Sequence, residues 1–196
     1  MPAVTRNLII ANVIGFLLIQ SIDWPSVAPF ALWPVGSGLF MPWQIVSYAF
    51  LHAGLTHLMF NMFGLWMFGA DLERVWGTRR FLIFYAIAVV AAAAAQLVVT
   101  AVSGANYPTV GASGGLFGLL IGFAMIFPKR KVIPLIPPIP MPAPVFVTIY
   151  GLLELTLGVT GSLSGVAHFA HLGGLVGGWL TIRYWRKQAP FGGAGR

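Results

Sequence analysis

The chain has 196 residues, 58% of them hydrophobic and only 8% charged, with a mean hydropathy of +0.87, which excludes a water-soluble globule and predicts a polytopic membrane protein. The absence of cysteine excludes a disulfide framework, a thiolate nucleophile and a cysteine-based metal site. The net charge of +7 would suit nucleic acid, but the basic residues stand in short clusters at the ends of apolar runs, so they read as topology signals and no nucleic-acid partner is expected.

A helix needs about 20 mostly apolar residues to cross the hydrocarbon core of a bilayer. The first such run, 7–22, follows Arg6; with no small-x-small cleavage site before Asp23-Trp24-Pro25, it reads as a retained span and not as a signal peptide. Segment 23–49 carries Trp24, Phe30, Trp33, Phe40 and Trp43 among prolines. It is too apolar for an ordinary loop and too broken for a span, which predicts an interfacial position. Runs 50–70 and 81–102 follow, joined by Arg74, Arg79 and Arg80, and run 112–127 ends at Lys129, Arg130 and Lys131. Six prolines between Pro134 and Pro144 exclude regular helix and predict an extended connector. Runs 145–161 and 165–185 complete an expected six-helix, all-α bundle in a single domain over 1–196, with 186–196 expected as a disordered tail.

Six spans place both termini on one side. All eleven basic residues then fall on that side, and 23–49, 103–111 and 162–164 on the other contain no lysine or arginine. The positive-inside rule makes the basic side cytoplasmic. The expected location is a cell membrane, read as the bacterial inner membrane, with both termini cytoplasmic and the lipid bilayer as the surrounding partner.

Within the fourth run, Gly111-Ala112-Ser113-Gly114-Gly115 matches the Gly-x-Ser-x-Gly elbow of soluble hydrolases, but that elbow needs a preceding strand. Here Ser113 opens a helix with Gly114, Gly118 and Gly122 at i, i+4, i+8, a small-residue ridge for close helix packing. Taken alone, the motif reads more readily as a packing helix whose serine merely caps its N-terminus. The sixth run carries the complementary ridges Gly173/Gly177 and Gly174/Gly178, with His171 just before them. At about 1.5 Å per residue, Ser113 stands roughly 24 Å above Lys129, His171 roughly 18 Å above Arg183, and Asn61 roughly 20 Å above Arg74. Three polar side chains therefore share one depth in the outer half of the bilayer, where such groups face the protein interior or a water cavity. His57 and Asn61, at i and i+4, lie on one helix face and serve equally as interhelical hydrogen-bonding groups or as donors to a developing oxyanion.

With Gly111-Ala112-Ser113-Gly114 and Ala170-His171-Leu172-Gly173-Gly174 in this order, the chain resembles the rhomboid family of intramembrane serine proteases. Pro42-Trp43-Gln44 through Phe50-Leu51-His52, then His57-x-x-x-Asn61, resemble that family's first loop and second span, and Glu73-Arg74-Val75-Trp76-Gly77 the turn after it. The resemblance implies a Ser113 nucleophile and a His171 general base in a two-residue dyad, with His57, Asn61 and the Ser113 backbone N–H stabilising the oxyanion. Gly111 and Gly114 belong to the serine motif. The family's histidine register selects His171 and leaves His168 as a cavity-lining residue, with His52 supporting the second span.

Without a third member, the imidazole must be oriented by packing, and Phe117 is placed to form an aromatic floor beneath it. The family often has tyrosine there. Gln44 stands where it often has arginine, which removes the basis for carrying over that loop's hydrogen bonding. Glu154 is the one acid within a span and reads as a hydrogen-bonding group to another helix, with no catalytic duty implied. A His57/His168/His171 metal site would lack both a His-Glu-x-x-His motif and cysteine, so no metal or organic cofactor is expected. The expected substrates are transmembrane proteins, cut near the outer end of a span. A rhomboid-like binder of membrane clients without activity is the alternative in a different functional class. A transporter would need ionisable residues along a path, and the chain has none beyond Glu154 and the outer polar layer.

Overall fold

The structure is a computed structural model that describes residues 1–134, 137–161 and 167–188; the outer turn expected at 162–164 and the tail from 189 lie outside them. Six helices dominate: α1 Ala3–Gln20, α2 Leu55–Gly64, α3 Ala70–Ser103, α4 Ser113–Ile126, α5 Ala143–Thr160 and α6 His168–Gln188. A π-helical turn at Leu65–Gly69 carries α2 directly into α3. Gly77 then adopts φ 74°, ψ 163°, so the nominally continuous stretch is two legs joined within the basic cluster. Stretches Ala3–Gln20, Leu55–Ser103 and Ala143–Thr160 are long and apolar enough to cross a membrane, whereas α4 is apolar but has only 14 residues.

That shortness has a positional consequence. At about 1.5 Å per residue α4 is about 21 Å long, against about 30 Å for the hydrocarbon core. A helix of that length cannot reach from one face of the core to the other.

Helix α4 is the central element. Its glycines let α6 cross at backbone contact: a Cβ on Gly174 would collide with the Gly114 carbonyl, and one on Gly178 would lie 2.9 Å from the Gly118 carbonyl oxygen. The alanine-rich stretch of α3 supplies the third face, with Ala88 against Gly118, Ala92 against Gly114, and Ala91 against Gly177. Three smooth helices thus pack without intervening side chains, the arrangement expected where dispersion and small residues, not hydrophobic exclusion, drive association.

One end of the bundle gathers the basic segments. Asp71 pairs with Arg74 at 2.6 Å and with Arg130, while the Arg186 guanidinium donates to the Met125 carbonyl at 3.2 Å. Glu73, buried in the same turn, accepts from the Val4 N–H at 2.9 Å and from the Thr5 N–H and hydroxyl at 2.7 Å each. It therefore satisfies donors at the start of α1 that the helix itself cannot pair.

At the other end, segment 23–49 forms only short helical turns, Trp24–Val27 and Gln44–Ser47 the longest, with Trp24, Phe30 and Trp43 half-exposed. Gln44 is fully buried and organises the segment: its carbonyl accepts from the Trp33 N–H at 3.1 Å, and its amide donates to the carbonyls of Leu39 and Pro29 at 2.9 and 3.1 Å. Glutamine thus holds this loop together. Leu32 and Thr109 form a bridge, with both hydrogen bonds 2.9 Å long, tying the segment to the turn before Ser113.

In the proline-rich connector, extended backbone at Met141–Pro142 pairs antiparallel with Lys131–Val132. The chain also remains helical through Arg186 and Lys187, so the tail does not begin at 186.

Candidate active site

Ser113 is the first residue of α4, delivered by a turn in which Gly111 has φ 128°. That angle lies in a region L-residues rarely adopt. Glycine is required a second time by space, since a Cβ at position 111 would lie 2.7 Å from Cε1 of His57. The turn is suspended from the outer segment: the Gly111 N–H donates to the Tyr48 carbonyl at 2.9 Å, and the buried Tyr48 hydroxyl donates to the Val89 carbonyl of α3 at 2.9 Å.

His171 lies in the first turn of α6, and its Nε2 is 2.7 Å from Ser113 Oγ. Its ring stacks on Phe117 with centroids 4.3 Å apart and planes within 6°. The α4–α6 contact of Gly114, next to Ser113, with Gly174, one turn after His171, sets this approach: bulkier residues there would part the two helices and with them the two side chains.

The structure brings His57 and Asn61 to the same cavity, a space of about 1310 Å³ that Ser113, Phe117, His168 and His171 also line. The Asn61 amide donates to the His57 carbonyl at 2.8 Å, while its own buried carbonyl oxygen has no partner among the described residues. The amide nitrogen carries a second N–H, the one an anionic ligand would use. His52 is buried beside His57, with ring centroids 5.1 Å apart in an edge-on arrangement, so it belongs to the cavity wall and not to an exposed interface.

Packing alone does not surround the imidazole. Glu154, on α5, places Oε2 2.9 Å from Nδ1 of His171 and 2.6 Å from Nδ1 of His168, and all three residues are buried. The contact with His168 is a hydrogen bond, whereas the one with His171 is short but lies off the axis of the ring N–H. The signal for this approach was present in the chain. Gly151 and Gly158 flank Glu154 at i−3 and i+4, and a Cβ on Gly158 would lie 3.0 Å from the Phe169 ring, so the face of α5 that carries the acid is the one lying closest to α6.

These three residues are also the ones that could hold a metal, each offering a ligand atom within 4.8 Å of the others. His57, considered for such a set from the sequence, is not among them. The separations of 2.6 and 2.9 Å from Oε2 are hydrogen-bond distances. They are shorter than the about 3.3 Å between ligand atoms around a tetrahedral ion with bonds of about 2.0–2.1 Å.

A rhomboid domain model matches residues 39–188. The rhomboid protease GluP of Bacillus subtilis (strain 168) is 30% identical over 139 residues, covering 71% of this chain and 25% of that protein. The rhomboid protease GlpG of Pectobacterium atrosepticum is 28% identical over 185 residues, covering 92% of this chain and 62% of that protein. A GlpG of Yersinia pestis (strain Pestoides F) is 29% identical over 165 residues, covering 82% and 54%. The chain thus spans between a quarter and about three fifths of the length of these curated relatives.

Proposed function

The chain belongs to the rhomboid family, and we propose that it is an intramembrane serine endopeptidase that hydrolyses a peptide bond near the outer end of another protein's transmembrane segment. The observation that carries this reading is the 2.7 Å contact between Ser113 Oγ and His171 Nε2 at the start of α4. Serine becomes a useful nucleophile at neutral pH when an adjacent base can take its proton. Ser113 Oγ attacks the substrate carbonyl while His171 Nε2 accepts the hydroxyl proton. The tetrahedral oxyanion is met by the Ser113 backbone N–H and the side chains of His57 and Asn61, with the positive end of the α4 dipole behind them. Collapse breaks the C–N bond, His171 returns the proton to the leaving amine, and water then hydrolyses the acyl-enzyme by the reverse sequence.

A helical substrate cannot offer a peptide bond until it unwinds, and exposed backbone is unfavourable in lipid. Small residues at the cut and helix-weakening glycine or proline beneath it therefore suit this site, with entry beside α5. No cofactor takes part in this scheme. The test is cleavage of a single-span substrate by purified protein in lipid: Ser113→Ala and His171→Ala are expected to abolish hydrolysis. Equal cleavage by wild type and Ser113→Ala would end this reading, and binding of several substrates without any cleavage would favour a client-binding protein. Asn61→Ala, removing one oxyanion donor, is expected to lower kcat about 10²–10³-fold with substrate binding largely retained.

A further inference from the structure

We infer that Glu154 is a positioning residue for the proposed reaction: its carboxylate fixes the tautomer and direction of the His171 imidazole, turning the Ser113–His171 pair into a three-membered relay. The inference rests on the hydrolytic reading of the site. It departs from packing as the sole means of orienting the ring.

The geometry that carries it is the two-sided engagement of one imidazole. His171 Nε2 meets Ser113 Oγ at 2.7 Å, and its opposite nitrogen meets Glu154 Oε2 at 2.9 Å. Phe117, stacked on the ring at 4.3 Å, fixes the plane but accommodates equally the ring flipped by 180° about its Cβ–Cγ bond. Stacking therefore cannot decide which nitrogen faces the serine, nor which nitrogen carries the proton. A carboxylate beside Nδ1 decides both, because it accepts the Nδ1–H and leaves Nε2 unprotonated toward Ser113. His171 Nδ1 is buried and has no aligned hydrogen bond among the described residues, and Oε2 lies close beside it. Catalytic hydrogen bonds in ligand-free sites are often poorly aligned and tighten when substrate binds.

His168 completes the arrangement. Its Nδ1 contacts the same carboxylate oxygen at 2.6 Å, with its ring at 90° to that of His171. A buried carboxylate is unfavourable in lipid unless it is well hydrogen-bonded, and His168 supplies a donor that does not compete for the serine-facing nitrogen. The titratable groups around the relay are His57 and His52 from the α2 side, His168 on α6 and Glu154 on α5. Glu154 is the only anion among them.

In the acylation step the Ser113 proton moves to His171 Nε2 as the Oγ–C bond forms. The ring becomes imidazolium, still donating its Nδ1–H to Glu154, which remains ionised. The Nε2 proton then goes to the leaving amine as the C–N bond breaks. The carboxylate stabilises the cation formed in this step, the role that aspartate has in the soluble serine proteases of the chymotrypsin type.

The test compares wild type, Glu154→Gln and Glu154→Asp in lipid, by cleavage of a single-span substrate and by labelling of Ser113 with a serine-directed fluorophosphonate. Glutamine keeps the size but presents an N–H that favours the wrong tautomer. Glu154→Gln is expected to lower kcat and the labelling rate about 10²–10⁴-fold, with KM within about threefold, the thermal midpoint unchanged, and the acid limb of kcat/KM moved to lower pH. Glu154→Asp is expected to recover at least tenfold over Gln. Rates for Glu154→Gln within about threefold of wild type would overturn the inference. So would a loss that follows unfolding, with the pH profile unmoved and no recovery by Asp. Loss of wild-type activity on chelation, with restoration by zinc, would assign the cluster to a metal instead. If wild type neither labels nor cleaves, it is the hydrolytic reading that fails.

Discussion

Gly111 is held to glycine by two constraints, a backbone angle of 128° and a His57 ring 2.7 Å from where a Cβ would stand. Gly111→Ala is expected to lower stability in detergent by about 1–3 kcal/mol and to reduce kcat by displacing His57 from the oxyanion side. Gly36→Ala is the control, since nothing lies within 4 Å of its added methyl; paired unfolding curves and kinetics check both. The serine and histidine were legible as chemistry because glycines bracket them in recognisable strings. Glu154 read from the sequence as an unfavourable charge in a span. Its partners depend on how α5 rotates against α6, and the only local mark of that rotation is the pair Gly151 and Gly158 flanking it in an 18-residue apolar helix. Gln44 was opaque for a similar reason: its three hydrogen-bond partners lie 5 to 15 residues away along an irregular segment.

Among the elements, the α4–α6 crossing was the most predictable. Paired glycine ridges invite close contact, and the backbone of Gly114 does meet Gly174. The alanine face of α3 completes that packing, but a uniformly apolar run gives no phase by which to foresee it. Gly174→Val sets a branched side chain against a backbone carbonyl that cannot rotate away. It is expected to cost about 3 kcal/mol and to abolish fluorophosphonate labelling of Ser113 even in molecules that stay helical by circular dichroism. Glu73 is a second element-level device that the sequence did not disclose, since it joins residues 68 and 69 positions apart. Glu73→Ala leaves buried donors at the start of α1 unpaired and is expected to destabilise the protein by about 1–3 kcal/mol. Hydrogen exchange at Val4 and Thr5 should quicken while labelling of Ser113 persists.

For the whole molecule, composition made the membrane setting readable before any coordinates, and charge placement gave an expected sidedness of the loops. The contacts of Asp71 with Arg130 and of Glu73 with Thr5 gather those basic segments at one end. Because the chain has no cysteine, single substitutions report topology directly. A membrane-impermeant maleimide on intact cells is expected to label Ser26→Cys, but Arg79→Cys and Lys129→Cys only after permeabilisation. What composition could not give is how unevenly the bundle is anchored. In α5 only 22% of the apolar window is buried, against 39% for the stretch Leu55–Ser103. The helix that bears the anion is thus held less firmly than the α2–α3 stretch that bears His57 and Asn61. An outward swing of α5 would draw the Glu154 carboxylate away from the His171 imidazole, so any entry of a client beside this helix would be coupled to the loss of the ring's counter-charge.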